Sequence, residues 1–90
     1  MTGNRWQVII HRKVEKILNR LDGDLLERVR LAISGLASEP RPVGVKKLAG
    51  YANLFRIRVG DWRIIYAIED DKLIVLVLVI STRGGAYRDF

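Results

Sequence analysis

Ninety residues are enough for one two-layer core and too few for two, so a single domain over residues 1–90 is expected. Sixteen Lys and Arg against ten Asp and Glu leave a net charge of +6, which favours a nucleic acid or an acidic protein as partner. The lack of cysteine excludes disulfides and thiolate chemistry, a lone histidine makes zinc improbable, and no apolar run approaches the roughly 20 residues of a membrane span.

With no signal-peptide pattern at the N-terminus, a soluble cytoplasmic protein is expected, away from membranes. Trp6–Ile10 is β-prone and opens the chain as a strand. Val14, Ile17, Leu18 and Leu21 then recur at helical spacing with charged residues between them, which predicts an amphipathic helix from Arg12 to Leu21. Asp22-Gly23 ends it. Asp24-Leu25-Leu26-Glu27 reads as a capping box opening a second helix, with Leu25, Leu26, Val29, Ile33 and Leu36 on one side and Pro40 and Pro42 beyond its end. The two form a helical hairpin that has to bury its apolar side against another layer.

That layer is a sheet. Phe55, Ile57 and Val59 alternate with Arg56 and Arg58, so the strand has one apolar and one basic face. Beyond Gly60-Asp61, Trp62, Ile64, Tyr66 and Ile68 continue the apolar face, and Arg63, Ile65 and Ala67 the other. Glu69–Lys72 turns the chain again. Leu73–Ile80 is apolar throughout and β-branched, which predicts a central strand covered on both faces. The helices supply one cover; the C-terminal segment, nearby loops or a partner supply the other. The expected fold is α+β and two-layered, an N-terminal strand and a helical hairpin packed on an antiparallel sheet.

A two-residue turn at Gly60-Asp61 sets Arg58 opposite Arg63, with Arg56 on the same side. Like charges opposed across a sheet are destabilising, which favours a polyanion-binding face over an ordinary solvated one. Arg83 and Tyr87 leave the last strand either as part of that site or as a surface charge and a tail-packing ring. Lys46 and Lys47 suit nonspecific contact with RNA backbone or an acidic partner. His11, at a strand-to-helix junction, reads as structural or solvent-facing, Trp6 and Trp62 as packing residues, and Asp61 and Glu69–Asp71 as turn formers.

Gly44–Gly50, Leu54–Tyr66, Val77–Ile80, and Arg83 with Tyr87-Arg88 together resemble the RelE/ParE toxin superfamily of toxin–antitoxin systems, over nearly the whole chain. RelE-like members cleave messenger RNA on the ribosome, whereas ParE-like members poison DNA gyrase from the same fold. The resemblance implies a metal-independent endoribonuclease without cofactors, in which Arg58, Arg63, Arg83 and Tyr87 are catalytic and Lys46, Lys47, Arg56 and Arg88 bind RNA. The alternative is a gyrase inhibitor without nuclease activity. The implied partners are a cognate antitoxin, the ribosome with its messenger, and operator DNA reached through the antitoxin.

Such a nuclease directs the substrate 2′-hydroxyl at the adjacent phosphate, and so needs charge stabilisation at phosphorus and proton transfer at both ends. Arginine forks match phosphate oxygens and keep their charge. Tyr87, beside arginines, would serve as general base or as a base-stacking platform, and Arg83 would stabilise the leaving 5′-oxygen or donate its proton.

Overall fold

The computed structural model describes residues 5–82. Its elements run β1 (Gln7–Ile10), α1 (Arg12–Leu18), α2 (Gly23–Gly35), β2 (Lys46–Lys47), β3 (Leu54–Val59), β4 (Trp62–Glu69) and β5 (Ile74–Thr82). The strands form one sheet in the order β1-β5-β4-β3-β2, with β1 parallel to β5 and every other pair antiparallel. Both helices pack on one face of it. The two-layer α+β fold expected from the sequence is the fold observed, with β1 joining the sheet as a parallel edge strand.

Helix α1 begins where His11 Nδ1 accepts the Lys13 N–H at 3.0 Å, an N-cap that gives this histidine a structural role. It ends at Leu18 and not at Leu21. The N–H groups of Arg20 and Leu21 donate to the carbonyls of Ile17 and Leu18, tightening the last turn, yet Leu21 still packs on the core. The capping box expected at Asp24 is not formed. Helix α2 already starts at Gly23, whose φ of 65° reverses the chain, and the preceding Asp22 makes no side-chain cap bond. Asp24 lies inside the first turn, where its charge suits the helix dipole. Arg30 on α2 reaches Glu15 on α1 at 3.7 Å.

Val14 and Leu18 of α1 and Val29, Ile33 and Leu36 around α2 meet Phe55, Ile57, Val59, Ile64, Tyr66, Ile68, Val75, Val77 and Ile80 of the sheet. Each fully buried Leu, Ile or Val stabilises the fold by about 1.5–3 kcal/mol relative to exposure. The β4–β5 register shifts between Ile65 and Tyr66, which pair with Val79 and Val77 and leave Leu78 as the bulged residue. That shift lets Val75, Val77 and Ile80 all face the helices. Strand β5 lies inside the sheet, but its cover is uneven: Ile74, Leu76, Leu78 and Val79 stay half-buried. Among the described residues no helix is long and apolar enough to cross a membrane.

Candidate functional site

The face of the sheet turned away from the helices carries the charge. Strands β3 and β4 pair Val59 with Trp62, Arg58 with Arg63, Ile57 with Ile64 and Arg56 with Ile65, the register a two-residue turn imposes. Gly60 makes that turn with φ 61°, and it alone in the turn has positive φ, as a type II′ hairpin requires. Arg58 and Arg63 are therefore direct cross-strand neighbours on the outer face. Arg58 is exposed and makes no ion pair among the described residues, while Arg56 and Arg63 are half-buried.

Strand β2, absent from the pattern reading because it is only two residues long, enlarges this face. It pairs Lys46 with Arg56 and Lys47 with Phe55. Opposed residues share a face, so Lys46 joins the arginines while Lys47 lies on the other side of the sheet with Phe55. Two like-charged pairs, Lys46–Arg56 and Arg58–Arg63, thus stand side by side. Each costs a few tenths of a kcal/mol to about 1 kcal/mol, and among the described residues no carboxylate pairs with Arg58 to offset it. Further along the same face Leu54, Ile65 and Ala67 are buried, so the charge is confined to the end nearest the Gly60 turn.

Two concavities border this end. A small polar depression of about 210 Å³ is lined by Arg58, Gly60, Asp61, Trp62 and Arg63. A wider groove of about 700 Å³ runs between α2, the chain after it and the part of β3 that extends past β2, combining exposed Leu31 and Val43 with Lys46, Arg56 and Arg58. At the turn itself, a Cβ on Gly60 would lie 3.5 Å from Arg28 Nη2 and 3.9 Å from Nη1. Helix α2 thus lays a guanidinium on the hairpin tip, next to the residues of the polar depression. No sequence signal marks Arg28, since its proximity arises only when Val29 and Ile33 dock α2 on the sheet.

A buckle on the helix side holds the segment leading to β2. The Tyr66 hydroxyl donates to the Pro40 carbonyl at 2.7 Å, inside the core. Arg41 donates both terminal nitrogens to Asp70, at 3.2 and 2.9 Å, and its guanidinium sits 5.3 Å from the centre of the Phe55 ring. The Arg41 hydrogen bonds hold the Asp70 carboxyl below its usual range, and burial pushes the Tyr66 phenol up to about 12. Lys46 is thereby carried to its place opposite Arg56 by a fixed approach. No three His, Asp or Glu side chains among the described residues gather in a way that could hold a metal ion. Arg83, Tyr87 and Arg88 lie outside the described residues.

Residues 8–87 match the family described as the ParE toxin of type II toxin–antitoxin systems (parDE). The chain belongs to this toxin family. A Methanocaldococcus jannaschii protein described as the RelE1 toxin is 32% identical over 88 residues, covering 94% of this chain and 98% of that protein. The archaeal RelE–RelB complex of Pyrococcus horikoshii contains a chain that superposes with a TM-score of 0.79 at 32% identity, over 90% of this toxin and 98% of that chain. The toxin–antitoxin complex RelBE2 of Mycobacterium tuberculosis matches with a TM-score of 0.73 at 27% identity, over 88% of this toxin and 92% of that chain. RelE and ParE toxins form one superfamily, and this chain is a type II toxin within it.

Proposed function

We propose that this toxin is a ribosome-dependent endoribonuclease that cuts messenger RNA in the decoding site and so stops translation. The observation that carries the reading is the Arg58–Arg63 pair beside Lys46–Arg56 on one outer sheet face, a concentration of positive charge that costs stability and suits a phosphodiester. In the proposed reaction the substrate 2′-oxygen forms a bond to the adjacent phosphorus as the bond from phosphorus to the 5′-oxygen breaks. The products are a 2′,3′-cyclic phosphate and a 5′-hydroxyl, and no metal or cofactor takes part.

Arg58 and Arg63 hold the non-bridging oxygens as charge accumulates on them. Tyr87 takes the proton of the attacking hydroxyl, or positions it while water takes the proton, and Arg83 stabilises the departing 5′-oxygen, which receives a proton from that guanidinium or from water. Lys46, Lys47, Arg56 and Arg88 bind RNA, with Lys46 and Arg56 extending the site along the sheet and Lys47 reaching the strand only around its edge. With so few conventional bases the chain relies on the ribosome to orient its substrate. Outside translation its partner is a cognate antitoxin, through which the pair reaches operator DNA. The groove with exposed Leu31 and Val43 beside Lys46, Arg56 and Arg58 suits an acidic amphipathic segment of such a partner.

The second reading is gyrase inhibition without hydrolysis, favoured by the ParE name of the matched family. Induction in growing cells separates the two. The nuclease stops protein synthesis at once and leaves plasmid supercoiling unchanged; relaxed plasmid with intact messenger contradicts it. Arg58→Ala, Arg63→Ala, Arg83→Ala and Tyr87→Phe should each reduce cleavage about 100-fold or more while retaining antitoxin binding.

A further inference from the structure

We propose that Arg28 is an additional substrate-binding residue, one that receives an RNA phosphate where the strand leaves the outer sheet face and passes over the β3–β4 turn. The inference rests on the ribonuclease reading and extends the binding surface from the sheet to the helix layer.

The geometry begins with Gly60. The Arg28 guanidinium lies against the turn, with Nη2 3.5 Å from where a Cβ on this residue would stand, an ordinary van der Waals contact. The same glycine lines the polar depression with Arg58 and Arg63. Guanidinium groups from both layers of the fold therefore surround one two-residue turn, Arg28 from the helices and Arg58 and Arg63 from the sheet. Three acids stand near, Asp24 one helical turn earlier, Glu27 immediately before it in the chain and Asp61 in the hairpin, and none forms an ion pair with Arg28 among the described residues. Arg28 is exposed and makes no hydrogen bond among the described residues, none of which takes up its five donors. A planar fork resting on a bare backbone turn is preorganised to grip a phosphate at two oxygens. A packing role alone would be served as well by an uncharged side chain of similar length.

The test uses the full chain as wild type, Arg28→Gln and Arg28→Lys, with binding to a labelled single-stranded RNA and to vacant ribosomes measured over a series of potassium chloride concentrations. Arg28→Gln should bind about tenfold more weakly at low salt, and its plot of log affinity against log salt should be shallower by about 0.7, the share of one phosphate on a single strand. Arg28→Lys should recover most of the loss, and all three proteins should melt at the same temperature. In cleavage of programmed ribosomes Arg28→Gln should raise KM and leave kcat unchanged. A defect seen with free RNA assigns the phosphate to the substrate strand and supports the proposal; one confined to vacant ribosomes assigns it to ribosomal RNA and overturns Arg28 as a substrate-binding residue. Equal affinity and equal salt slope in wild type and Arg28→Gln overturn it while leaving the ribonuclease reading intact. Weaker binding by both variants together with a lower Tm also overturns it, since that is a packing effect. If the wild type binds neither probe in a salt-dependent way, the ribonuclease reading fails and the Arg28 proposal falls with it.

Discussion

The Tyr66 ring is fully buried against Phe55, with the two ring centres 6.1 Å apart, and its hydroxyl is satisfied only because the chain leaving α2 brings the Pro40 carbonyl within 2.7 Å. Removing that hydroxyl leaves a buried carbonyl without its donor, so Tyr66→Phe should cost about 1–2 kcal/mol near neutral pH. Burial holds the folded phenol at about 12, above the ordinary value near 10. The stabilisation is complete below pH 10 and declines as pH rises toward 12, because the unfolded chain gives up its proton first. Urea unfolding of both proteins from pH 8 to pH 11 should therefore show the gap between them narrowing above pH 10. A constant gap would mean that the phenol titrates normally in the fold. Arg58 makes the opposite trade: Arg58→Ala should reduce the proposed RNA cleavage about 100-fold or more yet leave thermal stability equal or slightly higher, by a few tenths of a kcal/mol, as the repulsion from Arg63 is relieved. Both residues were recognisable in the sequence, Tyr66 as an apolar-face position and Arg58 as a basic one. The Pro40 carbonyl was not, because a long-range bond from a ring to the backbone leaves no periodicity.

Among the elements, the β3–β4 hairpin was the most legible, since a two-residue turn determines every pair along it and Gly60-Asp61 has few other uses. Its geometry makes a sharp prediction. Gly60→Ala forces a side chain into φ 61° and should lower stability by about 1–2 kcal/mol in thermal unfolding. A variant that melts with the wild type would show that the turn can relax to a different type. Strand β2 escaped the sequence reading because Lys46 and Lys47 have no alternation of their own and become a strand only by pairing with β3. Helix α1 ended early for a related reason: Leu21 satisfies the helical period, but it packs on the core from the tightened turn after the helix. Leu78 could not be foreseen as a bulge in a run of residues apolar at every position, where no polar residue marks the register.

For the whole molecule, a net charge of +6 acquires meaning from its placement. The fold leaves the helix-facing side of the sheet apolar and sets Lys46, Arg56, Arg58 and Arg63 together at one end of the other side, with Arg28 at the tip between the layers. The α+β class and the toxin family were both legible, because the alternation in β3 and β4 and the motif blocks span most of the chain. The full extent of the basic site was not: Lys46 was named from the sequence, but its place opposite Arg56 follows from strand pairing, and Arg28 reaches the hairpin only through helix docking. The central claim is the dependence of cleavage on the ribosome. Primer extension on a defined messenger RNA, incubated with the purified toxin with and without programmed ribosomes, tests it most directly. Discrete cuts within codons only when ribosomes are present are the predicted result; intact messenger in both reactions, from protein that still arrests growth, would contradict it.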